Sequence, residues 1–437
     1  MQVVDALAAV VRHRTLAGAT PDVTDPAPFE AVHADLRRAF PLLHEHCEVE
    51  RIAGNALLIR WPGRTADGPL VLMGHLDVVP AGDEAAWTHP PFDGVLADGH
   101  LWGRGTLDCK GPVVAICAAV EALIAEGVTP GRDVWLSFGC DEETSGPAAR
   151  IAADTLAARG VTPWLVLDEG GAIVSEAFPK VAEPLALIGV GEKGFLDVDL
   201  RATGAGGHSS MPPTKGATAR LARAVVRLET HQFPTHMTDA VASLFTILAD
   251  HVPAPLSLVL ARTPHLRRPL AYVMPRLGGE AAALVRTTIA VTRLKASDTR
   301  NSLAPVATAS VNLRIMPGET VAGTVARLRR VIADPGVEVI EVGSSEPTTM
   351  SPVDDPAFAL LAGVTRDVMP DAVPVPYLVL GTTDGRHFHR RWPRVYRFNP
   401  LRYSPALRQS LHNADERVPV ASLVEAVDWY RALLTRV

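Results

Sequence analysis

Asp141, Glu142 and Glu143 stand side by side in the stretch VWLSFGCDEETSG, directly after an apolar run. Adjacent carboxylates repel one another and lose hydration when buried, so something positive must sit among them. Other residues of metal-ligand type recur along the chain. His75 and Asp77 lie in LVLMGHLDVV, Asp108 in WGRGTLDCKG, Asp168 and Glu169 in PWLVLDEGG, and His412 in SLHNADER. Each alone has a plain explanation. His75 fits a satisfied buried histidine. Asp108 fits a helix N-cap. Glu142, Glu143 and Asp168 fit solvated loop starts. Together they read differently, because apolar strands that repeatedly end in His or carboxylate call for a cation. Mixed His and carboxylate ligands suit zinc, with manganese or cobalt as alternatives. Several carboxylates with few histidines suggest two ions sharing a bridging carboxylate and a water.

The elements that must position these groups are legible. The run Leu70–Val79 is nearly continuous in apolar residues, as in a strand buried on both faces of a parallel sheet. Residues two apart on a strand face the same way, so Asp77 can orient His75. Gly111–Gly127 reads as a helix, Asp133–Gly139 as a strand, Pro147–Gly160 as a helix and Pro163–Gly171 as a strand. This alternation predicts an α/β unit with a central sheet, and ligand sites belong at the carboxyl ends of such strands. After about Gly194 the pattern changes. Phe195–Gly204 and Thr308–Gly318 alternate apolar and polar residues, as strands with one solvated face do. A helix near Ala217–Leu228 and a Pro-rich apolar segment, Phe233–Gly279, lie between them. The expected organisation is a catalytic domain of residues 1–194 and 350–437, interrupted by a smaller α+β domain over 195–349.

Composition narrows the class. The chain has 437 residues, 47% hydrophobic and 21% charged, which is ordinary for a globular protein with a large core. The net charge of −6 and the lack of any basic run argue against nucleic acid. The four cysteines, Cys47, Cys109, Cys117 and Cys140, form no CxxC pair, which fits a reduced, cytoplasmic setting. The first residues have helical spacing without a signal peptide's basic start. No apolar run approaches the ~18 residues of a spanning helix, so no membrane contact is expected.

In order, GHLDVVP, GRGTLDCKG, CDEETSG, LDEGG and GGHSSMPP resemble the motifs of the dinuclear-zinc aminoacylase/carboxypeptidase family. That family includes acetylornithine deacetylase, succinyl-diaminopimelate desuccinylase, carboxypeptidase G2 and aminoacylase-1. WTHPPFDG, VRTTIAVTRLKA and GTTDGRHF are similar to its carboxypeptidase S and N-fatty-acyl-amino-acid hydrolase branch. The resemblance implies a zinc-peptidase-like catalytic domain, its central mixed sheet flanked by helices, with an inserted lid or dimerisation domain. It implies two zinc ions: His75 and Asp168 on one, Glu143 and His412 on the other, Asp108 bridging. Asp77 would support His75 and Glu142 would be the general base, while Asp141 would be structural. His208 would donate to the oxyanion, often in a partner subunit's site. Asn301 and Arg314 match substrate-contacting positions, and Arg386 would be a second carboxylate contact.

The chain departs from the family pattern at Cys109, where this branch usually has an acid, and at Asn413, where Gly is common. The segment Phe233–Gly279 is long for the family's simplest members. It either lines an acyl-chain pocket or covers the inserted domain's sheet, and the second is favoured. The expected activity is hydrolysis of an N-acyl amino acid, or of a short peptide at its C-terminus, with a free substrate carboxylate and a homodimer through the inserted domain as the implied partners. The rivals are a carbamoyl-amino-acid amidohydrolase and a catalytically silent binding protein of the same fold.

Overall fold

The strand Leu70–His75 is buried along its whole length, and so is Val134–Gly139. Two such strands need cover on both faces, which is the situation of a central parallel pair. They do pair in parallel, His75 opposite Gly139, and Leu165–Asp168 joins the other side of the His75 strand, also in parallel. Three carboxyl ends therefore meet at one edge of the sheet. The helices Lys110–Ala125 and Ala148–Ala158 pack against these strands.

The computed structural model describes residues 2–18 and 23–437. The central sheet has ten strands in mixed orientation. Late segments return to it: Val395–Arg397 pairs in parallel with Leu165–Asp168, and Val373–Val379 pairs in parallel with Leu185–Glu192. The His75 strand stops at His75, short of the run to Val79 expected from hydropathy, because the chain leaves the ladder to form the site.

A second, antiparallel sheet has four strands in the order Thr288–Lys295, Val306–Ile315, Gly194–Thr203 and Val337–Ser345. Burial alternates along its two middle strands, as their sequences require. Their inward residues, among them Leu196, Val198, Val311 and Leu313, form a separate core with the helices Ala217–Thr230 and Val321–Ile332.

The segment Phe233–Gly279 does not cover that second sheet. Phe233 alone belongs to its core. The rest is mainly helical, Asp239–Leu248, Leu256–Leu260 and Thr263–Val273, and Val241, Leu244, Phe245 and Leu248 join the core of the large sheet. The first of these helices lies on the strand Val373–Val379. An amphipathic pattern shows which face of a helix is apolar but not which surface receives it.

Candidate active site

Asp108 sits between two histidines. His75 Nε2 lies 2.9 Å from its Oδ1 and His412 Nε2 lies 3.1 Å from its Oδ2. Glu143 Oε1 is 3.2 Å from the same His412 nitrogen. Two groups of ligand atoms result, each gathered within 4.8 Å: His75, Asp108 and Glu169, and Asp108, Glu143 and His412. Asp108 is common to both.

Local structure explains the placement. His75 ends its strand, and its Nδ1 donates to the Asp77 carbonyl at 3.0 Å, which turns Nε2 toward Asp108. Asp77 Oδ2 accepts the Glu143 N–H at 3.0 Å, so one buried carboxylate spans the His75 and Glu143 loops. Glu142 and Glu143 share a single 3-10 turn at the end of Val134–Gly139. Asp141 is structural, since its carboxylate accepts the Ala148 N–H at the start of the next helix. A Cβ at Gly146 would come 2.1 Å from Asp141 Cγ, so only glycine lets this turn close.

The electrostatics of the site favour a bound cation. Burial, with Asp384, Asp108 and Glu143 adding, pushes the Glu142 carboxyl well above its ordinary value against the pull of His75. Burial raises Glu169 likewise, helped by Asp108, Glu142 and Asp168. Burial would raise Asp108 too, but hydrogen bonds from His412 and His75 hold it low. His412 is pushed up to about 10 by Asp108 and Glu143. Both Asp384 oxygens are buried without a hydrogen bond. A cation would relieve this crowding.

Two residues sit elsewhere than the resemblance placed them. Asp168 is not in either ligand group. Its Oδ2 accepts the Gly385 N–H at 2.5 Å, so it braces the loop after Val373–Val379 while Glu169, next along, faces His75 and Asp108. Side chains alternate at a strand end, so a shift of one residue changes the face. Arg386 is only 3% exposed and donates to the Thr383 carbonyl at 2.7 Å. Buried beside Asp384 and Glu192, it is not a group on which a substrate carboxylate could land. His208 and Asn301 come together through a short ladder, the Ser209 N–H donating to the Asn301 carbonyl, and both are exposed. Arg314 lies half-buried on the second sheet, opposite Phe195 and Thr288. None of these three joins the ligand groups.

Sequence reasoning passed over several supports. Glu192 accepts the Thr383 N–H and hydroxyl and pairs with Arg397, both charges fully buried. Arg104 and Glu416 form another buried pair beside Asp108. Buried acids in apolar strands are a signal, but their partners lie hundreds of residues away. Beside the two groups opens a cavity of about 330 Å³ that Asp108 and Glu169 help to line. Its walls are largely apolar, with Leu107, Leu187, Val379 and Leu411 among them, and Tyr377 and Arg408 also line it.

Residues 71–436 match the model of Peptidase family M20/M25/M40. The chain belongs to this family. As a member it is a hydrolase of peptide or related amide bonds. It is 33% identical over 415 residues to a probable carboxypeptidase S-like 2 of Dictyostelium discoideum, covering 93% of this chain and 79% of the relative. It is 36% identical over 356 residues to the human N-fatty-acyl-amino acid synthase/hydrolase PM20D1, covering 80% of this chain and 70% of the relative. The M20 metallo-carboxypeptidase Sso-CP2 of Sulfolobus solfataricus superposes with a TM-score of 0.71 at 16% identity, over 99% of this chain and 97% of that one. At that identity the likeness speaks for the fold, a mixed sheet flanked by helices. Among the described residues no helix is long and apolar enough to cross a membrane.

Proposed function

We propose that this M20 chain is a dinuclear metal-dependent amidohydrolase that releases an amino acid with a free α-carboxylate. Its substrate is an N-acyl amino acid or a short peptide cut at its C-terminus. The observation that carries the reading is the pair of three-residue ligand groups sharing Asp108, with Glu142 beside them outside both. His75, Asp108 and Glu169 would hold one ion, and Asp108, Glu143 and His412 the other. A donor set of nitrogen and oxygen atoms fits zinc, with cobalt or manganese as substitutes.

Bound divalent ions supply a polarised substrate carbonyl and an acidified water. The protein supplies the rest. Glu142 takes a proton from the attacking water and later gives it to the leaving nitrogen, so one carboxylate serves as base and acid. Asp77 positions His75 and fastens the Glu143 backbone. Arg314, with His208 and Asn301, is assigned to the substrate's carboxylate and carbonyl, a role that suits a guanidinium. The apolar cavity next to Glu169 takes the acyl chain or a side chain. Carboxypeptidase S-like and N-fatty-acyl-amino acid hydrolase names among the relatives support both substrate types.

The test is release of free amino acid from a panel of N-acyl amino acids and dipeptides, with zinc, cobalt or manganese supplied. Turnover of acyl chains or peptides supports the reading. Turnover of N-carbamoyl amino acids alone would replace it with the carbamoyl-amidohydrolase reading.

A further inference from the structure

The helical segment that packs on Val373–Val379 buries one face and leaves the other in solvent. Fourteen large hydrophobic residues are exposed among the described residues, and five of them fall within twenty positions: Leu258, Val259, Tyr272, Val273 and Leu277. The helix Thr263–Val273 turns Thr263 and Ala271 inward, onto the helix Asp239–Leu248, and so presents Tyr272 and Val273 outward. Clustered exposure of this kind marks a contact surface, whereas single exposed hydrophobics do not.

Charge specifies the partner. From Val252 to Gly279 there are four arginines, Arg262, Arg267, Arg268 and Arg276, and no acidic residue, in a chain whose net charge is −6. Arg267 pairs with Asp239. Arg262 and Arg276 donate to carbonyls of their own helical turns, Leu258 and Tyr272, Arg276 also lying over the Tyr272 ring, and among the described residues neither pairs with an acid. Arg262, Arg268 and Arg276 are exposed among the apolar residues. A protein interface of M20 chains with each other would set this basic stripe against itself. A surface of anionic headgroups over hydrocarbon meets both halves of the pattern: arginines reach the phosphates and the apolar side chains enter between them.

We propose that the stripe Leu258–Leu277 docks this protein on anionic lipid surfaces. Just beyond the stripe, in the helix Gly279–Ala283, Glu280 accepts the Tyr377 hydroxyl at 2.8 Å and pairs with Arg408 at 3.2 Å. Tyr377 and Arg408 line the cavity beside Glu169, so the docking segment is tied to its wall. Sequence patterning led to the opposite expectation of no membrane contact, because it finds spanning helices and not short surface stripes.

The test is co-sedimentation of the full chain with vesicles of phosphatidylcholine alone and of phosphatidylcholine with phosphatidylglycerol. Binding is expected only to the mixed vesicles, weakening as salt rises. The triple substitution Arg262→Glu, Arg268→Glu and Arg276→Glu should cut bound protein at least tenfold. The set Leu258→Ser, Tyr272→Ser and Leu277→Ser should do the same, with hydrolysis of a water-soluble dipeptide unchanged in both variants. Equal binding to both vesicle types, no binding, or binding untouched by the substitutions overturns the proposal. So does a dimer in light scattering that the serine variant dissolves while no vesicle binding is seen, which would make the stripe an interface between copies.

Discussion

Arg104 and Glu416 pair at 2.7 Å, each 1% exposed, and Glu416 also accepts the N–H groups of Leu107 and Asp108 at 2.8 and 3.2 Å. Arg104 reaches on to the Asn413 carbonyl at 3.1 Å. Two loops that lie some three hundred residues apart, one bearing Asp108 and one bearing His412, are thereby locked to each other. This pair fixes the loop of Asp108 against the loop of His412.

Replacing Glu416 by Ala leaves a buried guanidinium without its counter-charge, which costs about 3–5 kcal/mol in similar sites. The expected outcome is a lower midpoint in urea, with loss of bound metal. Glu416→Gln keeps acceptors for the two N–H groups and should lose less. Chemical denaturation and metal analysis on both variants check this.

Asp168 and Glu169 should separate cleanly. Glu169→Gln is expected to bring bound metal from about two ions per chain toward one. Asp168→Asn should keep both, since Asp168 serves the Gly385 N–H. Elemental analysis of the dialysed proteins decides between them, and a swapped result would restore Asp168 as ligand.

Metal affinity should rise with pH. His412 is held up to about 10 by Asp108 and Glu143, and His75, although burial opposes it, is raised by Asp108 and Asp77. A ligating imidazole must be neutral, so protons compete with the ions at every pH below that value. Affinity is expected to climb by about tenfold per pH unit for each proton displaced. Titration calorimetry in buffers of different ionisation enthalpy reads the released protons directly. An affinity flat between pH 6 and 8 would contradict the assignment of His412.

The cavity should set chain-length preference. Val379→Trp narrows it without touching a ligand group. Turnover of long N-acyl substrates is expected to fall by ~10–200-fold, the discrimination a methylene or so can carry. Turnover of N-acetyl substrates should change little. Kinetics across an acyl series measure the difference.

Much of this was legible in the residues. Apolar runs reaching His75 and Asp168 announced buried strands with histidine and acid side chains gathered at one edge, because parallel central strands need apolar cover on both faces. The alternation in Gly194–Thr203 announced a sheet with one covered face. What stayed hidden were choices that depend on distant partners. Asp168 and Glu169 are adjacent acids of equal chemistry, and only the position of Gly385 shows which is used as a brace. Arg386 has the type of a carboxylate contact, yet Thr383, Asp384 and Glu192 enclose it. The segment from Phe233 onward showed apolar faces, but the strand that receives its first helix, Val373–Val379, lies well over a hundred residues later.

The central claim is that Glu142 moves the proton while the other carboxylates hold the ions. The most direct measurement is turnover and metal content of Glu142→Gln beside the unaltered chain, on the best N-acyl amino acid of the panel. The expected result is a loss of about 10²–10⁴-fold in kcat, typical of a removed general base, with bound metal still near two ions per chain. Retained turnover, or metal lost together with activity, would contradict it.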